Sequence, residues 1–318
     1  MKIVFLDQAS VDRQDTNLSA LHACAEEYIA YDNSSPNNCL ERIKDADVVI
    51  SNKVLLDETI LSQTNHLKLI CVAATGTNNI DLQAAKQFEI AVCNARAYAT
   101  PSVVQHVFAL ITQLNTNLQQ YELAVKRGDW QKSEFFCLLD YPIHELSNKN
   151  FGIIGYGELG QAVANAARAF GMNVKVAKSF VHAETAKDRL SIDELLATSD
   201  IISLHCPLSE FTRHLLSQEK LDLLAPHALL INTARGGIVD EKALAKKLIH
   251  REIGGAGFDV LSVEPPTNDN ILLNLNLPNF ILTPHIAWAS RESRQRLIDE
   301  IVLNIQAFQH GGLRNQVN

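Results

Sequence analysis

The sequence predicts an α/β protein with two domains, each built on a doubly wound parallel sheet, and a cleft between the two. The chain has 318 residues, which is more than a single hydrophobic core usually supports. Short apolar runs alternate with helical patterns, and several runs are apolar throughout, as in parallel strands covered on both faces. A glycine-rich turn at residues 155–160 lies between a strand and a helix, which is typical of dinucleotide-binding sheets.

The first predicted domain resembles a flavodoxin-like sheet and begins with a buried strand at residues 3–6. A helical pattern follows over 17–29. The later elements alternate between strand and helix, at 48–50, 57–62, 67–74, 80 onward and 90–93. We then expect a long helix from Pro101, because proline suits the first turn and Thr100 can cap it. Residues 130–149 carry too many aromatic side chains for a plain linker, and both burial on the same subunit and docking on a second subunit explain them.

The second predicted domain repeats the alternation around a Rossmann sheet. A last amphipathic helix at 292–310 most simply returns to the first domain. This predicts a discontinuous substrate domain, 1–99 with 288–318, and a cofactor domain over 100–287. The elements of the second domain are predicted as strands 151–154, 173–177, 201–204, 228–231, 254–259 and 280–283, and as helices 158–170, 191–197, 218–224 and 240–250.

The glycine-rich turn has a mechanical purpose at each glycine. Gly155 permits the tight turn, Gly157 lets the backbone approach a pyrophosphate, and Gly160 lets the helix pack on the strand. The helix then begins at Glu158 and Leu159, where free N–H groups and the helix dipole attract phosphate. The sequence therefore predicts a dinucleotide cofactor.

Three polar side chains follow strands of the second domain. Arg235, Glu264 and His285 come after strands 228–231, 254–259 and 280–283, so all three should lie at the carboxyl edge of the sheet. An arginine there can bind a carboxylate through two hydrogen bonds, and a histidine can exchange a proton near neutral pH. A carboxylate beside the histidine stabilises the imidazolium. Taken alone, Arg235 also fits a surface salt bridge, Glu264 a solvated loop charge and His285 a cap.

Five stretches together resemble the D-isomer-specific 2-hydroxyacid dehydrogenases over essentially the whole chain. They are GIIGYGELGQAVA, HCPLSEFTRHLL, LINTARGGIVDEKAL, GGAGFDVLSVEPP and LTPHIAWAS. The resemblance implies that Arg235 binds the substrate carboxylate, that His285 is the acid/base, and that Glu264 pairs with it. It also implies that Arg235 and His285 line the cofactor site. The other residues that it places there are Cys206, Pro207, Thr212, Thr233, Ala234 and Asp259. The stretch ATGTNNID resembles a turn whose amides hold the substrate carboxylate, at Thr75, Gly76 and Thr77.

Within the family, the glycerate dehydrogenase or hydroxypyruvate reductase branch is the most similar. Trp288 is similar to the residue found in that branch, and its large indole should shorten the substrate pocket. The resemblance implies NAD(P)H-dependent reduction of hydroxypyruvate or glyoxylate to D-glycerate or glycolate, with the proton from His285. A phosphoglycerate or D-lactate type of dehydrogenase is the alternative. The alternative from outside the enzymes is a non-catalytic, NAD(H)-sensing binding protein similar to co-repressors.

The cofactor preference depends on the residue at the end of the second Rossmann strand. NAD-preferring sites carry an acid there, whereas this chain has Lys178 and Ser179, with no acid before Glu184. Lysine can pair with a 2′-phosphate and serine can donate a hydrogen bond to it. The sequence therefore favours NADPH. The alternative is that Lys178 is merely exposed to solvent and that the site accepts either cofactor.

Composition narrows the possible partners. A net charge of −8 argues against nucleic acid or an anionic membrane. The six cysteines form no C-x-x-C pair, which indicates buried thiols in a reducing cytoplasm, and we expect no metal site.

His205 could line the cofactor cleft, although packing explains it too, and His106 on the long helix is most simply structural. We expect a homodimer formed through residues 100–150, with a small 2-keto or 2-hydroxy acid as the substrate.

Overall fold

The computed structural model describes residues 1–179 and 188–318, which divide into two compact units. Unit 1 comprises Met1–Thr100 and Trp288–Asn318, and unit 2 comprises Pro101–Ala287. The strands are β1 Lys2–Phe5, β2 Glu27–Ala30, β3 Val48–Ser51, β4 Leu69–Val72, β5 Ala91–Cys93, β6 Asn150–Ile154, β7 Asn173–Val176, β8 Ile201–Leu204, β9 Leu229–Asn232, β10 Gly255–Phe258 and β11 Phe280–Leu282. The α-helices are α1 Ser19–Ala23, α2 Pro36–Ile43, α3 Glu58–Leu61, α4 Leu82–Gln87, α5 Thr100–Thr116, α6 Leu118–Lys126, α7 Glu158–Ala169, α8 Ile192–Thr198, α9 Gln218–Leu221, α10 Glu241–Ile249 and α11 Arg291–Gln309.

Unit 1 is a parallel sheet with the strand order β2-β1-β3-β4-β5. Successive residues of its strands point to opposite faces, so each strand contributes to two cores. Val4 and Ile70 pack in one core with Ile43 of α2. On the other face, Phe5 and Leu69 pack in a core that includes one face of α11. The chain therefore builds unit 1 from two separate segments.

The predicted helix over 17–29 is wrong in its second half. Helix α1 ends at Ala23, and Glu27–Ala30 forms strand β2, which pairs in parallel with β1 from Lys2↔Glu27 to Phe5↔Ala30. This strand lies at the edge of the sheet and is half-exposed, so its mixed polar and apolar residues also fit a helical face. Pairing with β1 decides the outcome. Helices α2 and α6 were also absent from the prediction.

Unit 2 is a parallel sheet with the order β11-β10-β9-β8-β6-β7. A parallel bridge between Ala177 and Leu190 extends this sheet beyond β7. The chain starts at β6, runs outward to β7, and then returns to β8 on the other side of β6. Such a reversal opens a crevice at the carboxyl ends of the strands, where ligands bind in doubly wound sheets. The predicted fold class, two doubly wound parallel sheets, is confirmed.

Candidate active site

The three predicted polar residues follow neighbouring strands at one edge of unit 2. Strands β9, β10 and β11 lie side by side in parallel, so their carboxyl ends meet at the same edge. Arg235 lies three residues after β9, and His285 lies three residues after β11. Glu264 follows β10 on the central strand of the three. The topology therefore places all three loops in one row.

Glu264 and His285 are in direct contact. The Nδ1 atom of His285 lies 2.5 Å from Oε2 of Glu264, and the other carboxylate oxygen accepts a hydrogen bond from the Leu261 amide at 2.8 Å. About one third of each side chain is exposed, so the pair remains accessible to a ligand. Because Nδ1 faces the carboxylate, it carries a proton, and Nε2 is the nitrogen that can exchange one.

Gly236 fixes the loop of Arg235 against the loop of Glu264. A side-chain carbon at Gly236 would lie only 1.8 Å from the carbonyl oxygen of Leu261, so only glycine allows this approach. Leu261 is also the residue whose amide binds Glu264. The guanidinium of Arg235 donates to the Ala234 carbonyl at 2.7 Å, and Asn232 binds the Arg235 carbonyl at 3.0 Å. The positions of Arg235 and Glu264 are therefore coupled through one backbone contact.

The backbone at His285 has an unusual conformation. Its φ angle is +54°, in the left-handed region that residues other than glycine seldom occupy. Asp259 is 1% exposed, and its two carboxylate oxygens accept hydrogen bonds from the amides of Ile286 at 2.9 Å and Ala287 at 2.8 Å. These bonds hold the residues immediately after His285. Asp259, predicted to line the cofactor, thus binds the loop of the acid/base candidate, while its cofactor role stays a prediction.

The glycine-rich turn has the geometry that a dinucleotide requires. At Gly155, where φ is +94°, a side-chain carbon would lie 2.5 Å from the Cys206 amide nitrogen, and at Gly160 it would lie 2.1 Å from the Gly155 carbonyl. At Gly157, which is exposed, such a carbon would meet nothing within 4 Å, so open space lies beside this residue. Helix α7 begins directly afterwards at Glu158. Space beside the N-terminus of a helix fits a pyrophosphate.

A second observation supports the fit of a dinucleotide. The hydroxyl of Thr233 is buried and has no hydrogen-bond partner among the described residues. Buried polar atoms are nearly always paired, so a ligand atom is the natural partner at this strand end. The predicted cofactor contacts of Glu158, Leu159, Thr233 and Ala234 stay predictions that agree with this geometry.

The loop after β8 closes beneath the glycine turn. Burial raises the pKa of the Cys206 thiol to about 11 and lowers the pKa of His205 to about 4, so both side chains are neutral at physiological pH. The Thr212 hydroxyl donates to the Pro207 carbonyl at 2.7 Å and accepts from the Ser209 amide at 2.7 Å. Thr212 therefore shapes the loop that carries Cys206 and Pro207. Contacts of these residues with the cofactor stay predictions.

Lys178 and Ser179 lie just beyond the end of β7. Lys178 is exposed, and its amide donates to the Leu190 carbonyl at 2.8 Å. Arg189 comes next to this bridge, with its guanidinium 5.6 Å from the ring centre of Tyr156 in the glycine turn. Two cations thus lie close to the position expected for the adenosine ribose. Glu184 lies outside the described residues.

The predicted substrate turn in unit 1 follows β4. The Thr75 hydroxyl donates to the Ala95 carbonyl at 2.9 Å, and the Asn94 side chain donates to the Thr75 carbonyl at 2.7 Å. These bonds tie the start of the turn Thr75–Thr77 to the segment after β5. Trp288, also in unit 1, packs edge-on against Tyr98 with ring centres 6.4 Å apart. The roles of these residues in substrate binding stay predictions.

Among the described residues, no cluster of three or more His, Cys, Asp or Glu side chains has a geometry suited to a metal ion. Over the same ranges, 1–179 and 188–318, no helix has the length and apolar character needed to cross a bilayer.

A paired histidine and carboxylate on the same parallel sheet as a dinucleotide-type glycine turn define the site of a nicotinamide-dependent oxidoreductase. The sequence profile of the D-isomer specific 2-hydroxyacid dehydrogenase NAD binding domain matches residues 108–287. The chain is 43% identical to a glycerate dehydrogenase of Methylorubrum extorquens, over 99% of this chain and 98% of that protein. It is 36% identical to a hydroxypyruvate reductase of Blautia hydrogenotrophica, over the full length of both. The chain belongs to the D-isomer-specific 2-hydroxyacid dehydrogenase family.

Solved structures agree with this assignment. An acyclic imino acid reductase in complex with NADPH and D-Arg superimposes with a TM-score of 0.88 at 29% identity, over 100% of both chains. A D-lactate dehydrogenase from Aquifex aeolicus complexed with NAD and lactic acid gives a TM-score of 0.83 at 31% identity, over 97% of this chain and 96% of that one. The predicted family, its similarity to the glycerate dehydrogenase branch, and the use of a nicotinamide cofactor are confirmed.

Proposed function

We propose that this protein reduces a small 2-keto acid, hydroxypyruvate or glyoxylate, to D-glycerate or glycolate. The contact between His285 and Glu264 at the carboxyl edge of the cofactor sheet is the observation that carries this proposal. Relatives named glycerate dehydrogenase, hydroxypyruvate reductase and glyoxylate reductase support the choice of substrate.

When bound, a nicotinamide cofactor would supply the hydride for the keto carbon. His285 delivers a proton from Nε2 to the keto oxygen, so that one hydride and one proton complete the alcohol. Glu264 accepts the Nδ1 hydrogen bond, orients the ring and stabilises the imidazolium that must be present before the transfer. In the oxidative direction, the imidazole of His285 is neutral and accepts the alcohol proton at Nε2.

Arg235 orients the substrate. Its planar guanidinium can bind the carboxylate through two parallel hydrogen bonds, which fixes the keto carbon as well as holding the acid. The binding of a substrate carboxylate by the amides of the turn Thr75–Thr77 stays a prediction. Such fixation converts an encounter of two molecules into an oriented reaction.

A panel of keto acids with NADPH and NADH tests the proposal. We expect hydroxypyruvate and glyoxylate to give the highest kcat/KM, because the large indole of Trp288 should shorten the pocket and its N–H can meet a polar substituent. A highest kcat/KM for phenylpyruvate or 2-ketoisocaproate would contradict this substrate class. Pyruvate and 3-phosphohydroxypyruvate in the panel test the D-lactate and phosphoglycerate alternatives. Tight cofactor binding without turnover of any acid would favour the co-repressor-like alternative.

We further propose a preference for NADPH over NADH. The exposed Lys178 can pair with the 2′-phosphate, Ser179 can donate a hydrogen bond to it, and Arg189 lies near enough to add a second positive charge. An NADH preference of tenfold or more in the wild type would contradict this interpretation.

Lys178→Asp is expected to move the ratio of kcat/KM for NADPH and NADH towards NADH by on the order of tenfold or more, which corresponds to about 1.4 kcal/mol. The substitution replaces an attraction to the phosphate with a repulsion. Both cofactors are assayed at a fixed concentration of hydroxypyruvate. Lys246→Asp, an equal change of charge at an exposed position of α10, is the matched control and should leave the ratio unchanged.

We propose that two copies associate through residues 100–150. Large apolar side chains are exposed along this segment, including Leu118 at 64%, Phe135 at 74%, Phe136 at 92% and Leu139 at 75%. Apolar side chains grouped in this way favour a protein interface. Sedimentation equilibrium tests the proposal, and a monomer at micromolar concentrations would contradict it.

The cytoplasmic location stays a prediction from the sequence.

A further inference from the structure

Helix α5 contacts both ends of the loop that carries His285. The hydroxyl of Ser102 donates to the Ala287 carbonyl at 2.7 Å, and Nε2 of His106 lies 2.9 Å from the hydroxyl oxygen of Thr283. Ser102 and His106 are four positions apart, so they lie on the same face of the helix. The loop 283–287 is therefore held at its first and its last residue by one rigid element.

The directions of the hydrogen bonds follow from the number of protons. The Thr283 hydroxyl has one proton, and its oxygen lies 2.6 Å from Oδ1 of Asp259, which can only accept when ionised. Thr283 therefore donates to Asp259, and Nε2 of His106 must donate to Thr283. The same Nε2 lies 3.6 Å from the Asp259 carboxylate, so its proton also faces a negative charge. The result is a series of hydrogen bonds in which His106 donates to Thr283 and Thr283 donates to Asp259.

This chain ends at the backbone of the acid/base loop. Asp259 accepts the amides of Ile286 and Ala287, and His285 immediately before them has a φ of +54°. A conformation of this kind persists only where the surroundings hold it in place. Asp259 provides the direct bonds, while His106 and Thr283 fix the carboxylate that makes them.

We propose that His106 is a positioning residue for the acid/base histidine, acting through Thr283 and Asp259, with Ser102 holding the other end of the loop. His106 does not touch the reacting atoms. Its role is to keep Nε2 of His285 aligned with the keto oxygen during proton transfer. This inference rests on the proposed function, because it takes His285 as the proton donor.

His106→Leu is expected to lower kcat for hydroxypyruvate by about ten- to a hundredfold, since a misplacement of about 1 Å at a reacting group can cost a hundredfold. The dissociation constant for NADPH, measured by fluorescence, should change by less than about twofold, because the glycine turn is far along the sheet from this loop. His106→Gln should restore most of kcat, since its side-chain amide can donate to Thr283 as the imidazole does. His250→Leu, at an exposed position after α10, is the matched control and should behave as wild type.

Hydrogen exchange provides a readout that does not depend on turnover. The amides of Ile286 and Ala287 should exchange faster in His106→Leu and recover in His106→Gln. Thr283→Val removes the central hydroxyl of the chain and should reproduce both effects, which keeps the test valid should His106→Leu fold poorly. A kcat within about twofold of wild type in either Thr283→Val or His106→Leu would overturn the inference, as would a failure of His106→Gln to restore kcat.

The two hypotheses fail in different ways. Wild-type protein that reduces no keto acid would contradict the proposed function, whereas the exchange of the Ile286 and Ala287 amides would still test the support from His106. Normal turnover that is lost in His285→Ala but kept in His106→Leu would leave the proposed function standing and overturn the positioning role.

Discussion

His285→Ala is expected to lower kcat by about a hundred- to ten-thousand-fold, with NADPH binding nearly unchanged. General acid catalysis typically contributes a factor of this size, and alanine offers no proton to the keto oxygen. Steady-state assays with hydroxypyruvate and glyoxylate measure the loss, and fluorescence titration measures cofactor binding. A kinetic isotope effect with deuterated NADPH shows whether the chemical step limits the rate.

His250→Ala is the control, because this histidine is exposed at the end of α10. A His285→Ala protein that keeps more than about a tenth of kcat while chemistry limits the rate would overturn the assignment. Glu264→Gln should act in the same direction with a smaller effect, since glutamine can still accept the Nδ1 hydrogen bond but does not stabilise the imidazolium.

Arg235→Ala is expected to raise KM for the keto acid steeply and to lower kcat as well, with a combined loss in kcat/KM of about a hundredfold or more. Hydrogen bonds to a charged group contribute about 1.5–3 kcal/mol each, and a guanidinium makes two of them to a carboxylate. The effect on kcat follows from the loss of orientation.

Initial rates over a range of hydroxypyruvate concentrations measure both constants. Arg235→Lys separates charge from geometry, because lysine keeps the charge but cannot bind through two parallel bonds. Arg13→Ala, at an exposed position outside the proposed site and the segment 100–150, serves as the control. An unchanged KM in Arg235→Ala would contradict the proposed role of this residue.

The parts of the fold that depend on local sequence were predictable. The turn at Gly155 could be predicted because its conformation and its close approach to the Cys206 amide demand glycine. The start of α4 was predicted at Ile80-Asp81, and the structure has Asp81 as the cap, whose carboxylate accepts the amides of Gln83 and Ala84. The edge strand β2 was missed because a half-exposed strand and an amphipathic helix share the same mixture of residues.

The site was predictable only as a set of strand ends. The order of strands places Arg235, Glu264 and His285 in one row, and the pairing of the last two follows from it. The contact of His106 with Thr283 spans 177 positions in the sequence, and no local pattern points to it. The left-handed backbone of His285 could not be predicted either, since only a few histidines adopt it and tertiary hydrogen bonds stabilise it here.

The origin of unit 1 from two separate segments has a consequence for biosynthesis. Strands β1 to β5 leave the ribosome early, but the core on one of their faces contains Leu297, Ile298, Ile301, Val302 and Ile305 of α11. That core cannot close until the last helix has been translated. Unit 2 is continuous in sequence and ends at Ala287, so it has all of its own residues first. Domains generally fold as units during synthesis. The nascent chain can therefore complete unit 2 while the core on one face of β1 to β5 still lacks the side chains of α11.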